Sequence, residues 1–227
     1  MMQEMTIYLY GQDWLELKKL ELTCGVDIGS MIRGAVHDTL ECNRAIPWIA
    51  TPALEWLINA VDRAWDVYEW GSGGSTRWFH ERCRSITSVD HNREWESWRY
   101  KVHIIEPTKV TRATTPDDPD GYRSADDDLD YSAYVTFIDN VPALDGMLSV
   151  DGMAQYDMIM IDGRARPSCI KHSLPHVKQY LMLDNATREY YRRAISLIPS
   201  EWELTKFRGL DSHGHCEMTD TWVWERK

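Results

Sequence analysis

Gly71-Ser72-Gly73-Gly74-Ser75 stands between an apolar run, Val67 to Trp70, and a short helical segment reaching about Cys83. A strand that feeds a glycine turn and then a helix offers unpaired backbone N–H groups to a ligand. Gly71 and Gly73 permit the tight turn and the close approach of the main chain. A second strand, Ser85 to Val89, ends in Asp90 about twenty residues later, where a carboxylate can accept hydrogen bonds from a ribose diol. The pattern predicts a nucleotide-like ligand lying across one edge of an α/β sheet. More polar groups follow the remaining apolar runs: Glu106, Asp162-Gly163-Arg164, Asp184-Asn185, and the loop Arg208 to Glu217 with His213-Gly214-His215-Cys216. Ligands of open α/β sheets sit outside the carboxyl ends of the strands, so this density at one edge argues independently for a site there.

The glycines also bear on the ligand. A dinucleotide fingerprint would place a third glycine where this chain has Thr76, and the chain carries Glu69 two residues before the first glycine. The segment resembles motif I of the class I S-adenosylmethionine-dependent methyltransferases, in which an acidic residue, any residue and Gly-x-Gly end the first strand. The likeness covers roughly Thr51 to Trp224, and Asp162-Gly163-Arg164-x-Arg166 is similar to a less characterised group of that superfamily. The resemblance implies S-adenosyl-L-methionine as cofactor and a three-layer Rossmann-like sandwich, its mostly parallel seven-stranded sheet carrying one antiparallel strand in a C-terminal hairpin. It also implies that Glu69, Gly71, Ser72, Gly73, Gly74 and Ser75 hold the methionine part and that Asp90 grips the ribose. His91 lines the adenine pocket on this reading, Glu106 and Asp162 add further cofactor contacts, and Trp95 is either pocket wall or core.

Asp162, Asp184 and Asn185 supply three oxygen ligands from the ends of neighbouring strands, a set that suits a hard divalent cation such as Mg2+. The pattern is similar to that of metal-dependent catechol-type O-methyltransferases. Arg164, Arg166 and Arg188 stand beside it, and clustered carboxylates repel unless a cation or an arginine compensates them. Metal binding and neutralisation by arginine are both open readings. Arg164 and Arg166 can equally receive an anionic substrate group, since a guanidinium fork matches carboxylate or phosphate. Asp162 and His213 are the candidate catalytic bases for an acceptor hydroxyl. The His213–Cys216 cluster lacks the paired spacing of a structural zinc site. His172 and His176, flanking Pro175, read as surface residues.

These groups need elements to carry them. Thr51-Pro52 starts a helix with a capping hydroxyl and a first-turn proline, and Leu54, Leu57, Ile58 and Val61 recur at helical spacing. Strands are expected at Trp65–Trp70, Ser85–Asp90, Val102–Glu106, Tyr156–Ile161, Tyr180–Leu183, Trp202–Phe207 and Thr219–Glu225. Helices are expected at Asn92–Tyr100, Ser168–Val177 with a break at Pro175, and Arg188–Ile198. Residues 1–45 read as a helical extension, with helices at Trp14–Leu22 and Ser30–Leu40, serving as lid or oligomer contact. Residues 46–227 read as the main domain. Within it, 116–130 holds seven aspartates and almost nothing apolar, and predicts a solvated surface insertion whose spacing does not fit a calcium loop.

The 227 residues suffice for one large domain with a three-layer core. A net charge of −11 argues against a duplex nucleic-acid partner. The absence of a long apolar run argues against a membrane one. Five scattered cysteines without a Cys-x-x-Cys pair predict a reduced, cytoplasmic protein. The expected activity is methyl transfer to an oxygen of a small molecule or sugar, with oligomeric state left open. Two rivals remain: a nicotinamide-dependent oxidoreductase, disfavoured by Glu69 and Thr76, and a catalytically silent nucleoside-binding scaffold.

Overall fold

The computed structural model describes residues 18, 19, 22, 28, 45–96, 100–111, 113–141, 149, 150, 152–212 and 217–227. The chain divides into two compact units, Met1–Arg44 and Ala45–Lys227. The helices expected at Trp14–Leu22 and Ser30–Leu40 lie almost wholly outside the described residues, so the following concerns the second unit.

Seven strands form one sheet: β1 (Asp66–Trp70), β2 (Ser85–Asp90), β3 (Val102–Ile104), β4 (Tyr156–Ile161), β5 (Val177–Asp184), β6 (Glu203–Leu210) and β7 (Met218–Glu225). Their spatial order is β6-β7-β5-β4-β1-β2-β3. The pairs β1/β2, β2/β3, β1/β4 and β4/β5 are parallel. β7 runs antiparallel to both β5 and β6, closing the sheet with the C-terminal hairpin expected from the sequence. Helices α1 (Thr51–Ala60), α2 (Gly74–His80), α3 (Ser132–Val135), α4 (Arg166–Ser173) and α5 (Arg192–Ile195) complete the α/β architecture.

β1 and β4 are buried along their whole length because both faces of the sheet are covered. Tyr68, Trp70, Ile159 and Ile161 point into one apolar core, and Val67, Met158 and Met160 into the other with Leu57 of α1. This is the two-residue alternation of a strand applied to both layers. The order reverses between β1 and β4, which opens a crevice at their carboxyl ends. The loops after these strands build the site.

Several local expectations are corrected. Thr51 is not a cap: it lies inside α1, and its hydroxyl donates to the Leu210 carbonyl at 2.8 Å. Asn92–Tyr100 forms, among the described residues, only a 3-10 turn at Arg93–Trp95. Arg188–Ile198 splits into a 3-10 turn at Glu189–Tyr191 and α5, while α4 begins at Arg166 and yields to a 3-10 turn at Leu174–His176 where Pro175 enters. His176 is fully buried, with Nδ1 donating to the Ala154 carbonyl at 2.8 Å and Nε2 3.2 Å from Asp139. His172 is partly buried against the same carboxylate at 2.7 Å. Among the described residues, no helix is long and apolar enough to cross a membrane.

Candidate functional site

The turn after β1 is dictated by backbone contact. Gly71 has φ +98°, and a Cβ there would lie 2.7 Å from the Gly163 nitrogen and 2.8 Å from the Asp162 carbonyl carbon. The clash is reciprocal, since a Cβ on Gly163 would meet the Tyr134 hydroxyl and the Gly71 nitrogen at 2.9 Å. Two glycines therefore let the loops after β1 and β4 touch main chain to main chain. Gly71 donates to the Val89 carbonyl and Asp162 to that of Trp70, both at 2.9 Å, continuing the sheet into the loops. Gly73 is extended, with its open side 3.9 Å from Trp95.

Asp90, the last residue of β2, accepts the Ser72 and Asn92 backbone N–H groups, each at 2.7 Å. One carboxylate thus holds the glycine loop against the strand and retains further lone pairs toward the cavity it lines. Glu69 lies lower. It is fully buried beneath the loop, where Thr76 and Ser88 donate to its Oε1 and no group meets its Oε2. Burial, the largest cause, pushes its carboxyl up to about 7, against the hydrogen bonds from Thr76 and Ser88. Thr76 Oγ1 also accepts the Gly73 N–H at 3.0 Å. Glu69 and Thr76 shape the loop from below. Glu69 does not reach the cavity wall expected of it, because its strand position turns it into the interior.

The oxygens of Asp162, Asp184 and Asn185 do converge, on Arg166. Its guanidinium donates to the Asp162 carbonyl and Oδ1, both at 2.9 Å, to the Gly163 carbonyl at 2.9 Å and to the Asp184 carbonyl. Its Nη1 is 3.4 Å from Asn185 Oδ1 and 3.9 Å from Asp184 Oδ2. Asp184 Oδ1 is taken by the Thr221 hydroxyl at 2.8 Å, and Asn185 Nδ2 donates to Thr219 at 2.9 Å. The metal reading is corrected on this geometry. The buried cation between the carboxylates is an arginine, and no group of three or more His, Cys, Asp or Glu side chains placed for a metal ion occurs among the described residues. Burial raises the Asp162 and Asp184 carboxyls; Arg166 opposes this, and Asp184 and Glu69 add to the rise at Asp162.

Above these groups opens a cavity of about 350 Å³. Its wall includes the loop from Gly71 to Ser75, Asp90, His91 and Asp162, and also Trp48, Trp95, Asp126, Arg164 and Arg188. His91 lies 3.1 Å from Asp90 Oδ1, edge-on to Tyr131. Glu106 is corrected: it is exposed and bonded to Arg93 at 2.6 Å, away from the wall. His213 lies outside the described residues.

Sequence reasoning missed Trp48 and Asp126. The acidic segment 116–130 is tied to the domain at several points: Asp126 to Arg164, Asp120 to Lys171, and the Tyr122 N–H to Ser168 Oγ at 3.0 Å. Tyr122 adopts φ 55°, which turns the segment back onto α4. The available signal was the Arg164/Arg166 pair: with Asp162 and Asp184 both facing Arg166, Arg164 is left to pair with a carboxylate from elsewhere in the chain.

No protein-family model and no curated protein sequence matches the chain. Solved structures overlap it weakly. A methyltransferase-like protein from Silicibacter pomeroyi DSS-3 is 17% identical, covering 76% of this chain and 84% of its own, at a TM-score of 0.42. An O-methyltransferase from Bacillus cereus in complex with SAH is 11% identical over 95% and 99%, at 0.47. The plantazolicin methyltransferase in complex with SAH is 9% identical over 96% and 100%, at 0.39. At these scores the overlaps carry no argument, and the functional reading rests on this chain's own residues.

Proposed function

We propose that this chain is an S-adenosylmethionine-dependent methyltransferase acting on an oxygen of a small molecule or sugar. One observation carries the reading: Gly71–Ser75, Asp90 and Asp162, each at or just past the carboxyl end of a different parallel strand, line the same cavity. The fit to the cofactor is chemical. The Gly74 and Ser75 amides open α2, where no preceding turn supplies a carbonyl, so they are available to a carboxylate. Asp90 retains acceptor capacity for a diol. Asp162 puts a carboxyl on the wall of a site that must accept a sulfonium. Gly73 leaves open the space before Trp95 that a side chain would narrow.

The cofactor supplies a methyl group already activated by positive charge. The chain's residues then have to bind, orient and exclude water, the terms that dominate when nucleophile and electrophile need only be aligned. Gly71–Ser75 and Asp90 fix one partner. The cavity wall from Trp48 to Arg188 confines the other. Asp162, its carboxyl raised by burial, is placed to take the acceptor's proton, with Arg166 holding it in one orientation. Metal assistance has no part in this mechanism, since Arg166 fills the place between the carboxylates.

Isothermal titration with S-adenosylhomocysteine (SAH) tests the reading. Wild type should bind, Gly73→Arg should not, and Asp90→Ala should bind weakly while melting separately establishes that it is folded. Absence of binding to wild type, or equal binding by folded variants, refutes the assignment. Preferential binding of a nicotinamide cofactor would establish the oxidoreductase instead, and SAH binding without turnover on any acceptor would favour the silent scaffold.

A further inference from the structure

We infer that the acceptor carries an oxyanion, a carboxylate or a phosphate, and that Arg188 receives it. This rests on the methyltransferase reading for its role and on charge pairing within the cavity for its chemistry. Three arginines line the cavity, and they are not equivalent. Arg166 is buried and spent on Asp162, Asp184 and the carbonyls around them. Arg164 is paired with Asp126. Arg188 has no carboxylate partner among the described residues: its Nη1 donates to the Tyr190 hydroxyl at 3.1 Å and the Tyr191 hydroxyl at 3.5 Å, and its Nη2 to Asn185 Oδ1 at 3.0 Å. Neutral oxygens fix its direction, and the carboxylate that feels its charge, Asp184, does so through space while already facing Arg166. A guanidinium has five N–H donors, so at least two remain for a ligand.

The position follows from the local fold. Asn185, at φ 50°, turns the chain sharply at the end of β5, and Arg188 closes that turn by donating its N–H to the Asn185 carbonyl at 3.3 Å. The side chain therefore starts from the carboxyl edge of the sheet, beside the wall formed by Asp162 and Gly163. A planar fork directed by three neutral acceptors is pre-organised, so little rotamer freedom is lost when an oxyanion docks. Asp126 lines the same cavity and, together with Arg188, a small pocket adjoining it. It satisfies Arg164 internally, which leaves Arg188 as the cation open to substrate among those described.

The test uses two anions as probes, inorganic phosphate and malonate, titrated calorimetrically into the full-length protein with and without saturating SAH. Wild type is expected to bind at least one of them, and Arg188→Gln to bind it at least fivefold more weakly. Arg193→Gln, at an exposed arginine paired with Asp118 outside the cavity, is expected to match wild type. Preference for phosphate or for malonate assigns the oxyanion. Equal affinity of wild type and Arg188→Gln, or no binding of either anion to wild type, overturns the inference. An equal loss in Arg193→Gln also overturns it, by showing a diffuse charge effect. SAH binding without anion binding removes this inference alone. Anion binding lost in Arg188→Gln but no SAH binding removes the methyltransferase reading and leaves the oxyanion site standing.

Discussion

Three glycines, Gly71 and Gly73 after β1 and Gly152 in a turn before β4, should respond to alanine in three different ways. Gly71→Ala combines two penalties. A side chain at φ +98° costs about 1–2 kcal/mol in the left-handed region. Its Cβ would also sit 2.7–2.9 Å from backbone atoms of Asp162 and Gly163, which cannot swing aside as a flexible side chain could. Overpacking of that kind costs a further 1–3 kcal/mol or so. The expected loss is about 3 kcal/mol, a fall in Tm of roughly 6–12 °C for a unit of this size. Gly152→Ala is the control: its φ is +81° but nothing lies within 4 Å, so only the backbone penalty applies, and Tm should fall by roughly 2–8 °C. Gly73→Ala should melt within about 2 °C of wild type, because φ 171° is extended backbone and its Cβ would meet Trp95 at an ordinary 3.9 Å. It should still weaken SAH binding, by about tenfold, since the added methyl enters the cavity rather than the protein. Scanning calorimetry and SAH titration on the three variants decide the matter. A Gly71→Ala protein that melts no lower than Gly152→Ala would refute the backbone-contact account of the loop.

Other expectations concern charge. Glu69 titrates at about 7 in the folded chain against 4.5 when exposed, so the native state holds a proton the unfolded chain has released. That contribution is complete below pH 4.5 and is lost as pH rises to about 7, worth on the order of 3 kcal/mol. Glu69→Gln should flatten this part of the stability–pH curve in urea melts, and an unchanged slope would disprove the burial effect. Arg166→Met strands the buried Asp184 carboxyl and the half-buried Asp162 carboxyl, and should cost about 3–5 kcal/mol at pH 8. The deficit should shrink toward pH 5 as Asp162 and Asp184 take up protons, and a deficit that grows on acidification would contradict the pairing. Millimolar Mg2+ or Mn2+ should leave Tm unchanged, because Arg166 occupies the space between the oxygens. A rise that disappears in Asp184→Ala would restore the metal site.

The fold was legible because it depends on short-range pattern. Val67–Trp70 and Tyr156–Ile161 are largely apolar, each broken by a single carboxylate (Glu69, Asp157), as suits strands buried on both faces, and the glycine turn after the first names the crevice. What stayed hidden depends on long-range pairing. Asp126 meets Arg164 across 38 residues, and Asp139 meets His176 across 37. Local composition alone reads the acidic segment as solvated and His176 as exposed. The arginine that displaces the metal was visible as Gly163-Arg164-Ala165-Arg166, and the sequence posed the right alternatives. It could not choose between them, because the choice turns on where a guanidinium points. Ala165, at φ 48°, supplies that direction by turning α4 so that Arg166 faces back onto Asp162.

An internal guanidinium is a different device from a metal ion, and the difference has consequences for control. Arg166 joins the carboxyl ends of β4 and β5 through the Asp162, Gly163 and Asp184 carbonyls as well as through side chains, so it fixes backbone as much as charge. It carries a single positive charge between two carboxylates, whereas a divalent ion would balance both. Burial therefore keeps the Asp162 carboxyl above its ordinary range even with Arg166 bound to it. A base held high in this way is stronger when ionised but ionised only at higher pH. Activity governed by such a group rises with pH through its ionisation and is indifferent to chelators. With Asp162 as the base proposed above, the pH–rate profile should rise with the ionisation of that carboxyl and be lost in Asp162→Asn; a profile that Asp162→Asn leaves unchanged would refute the role.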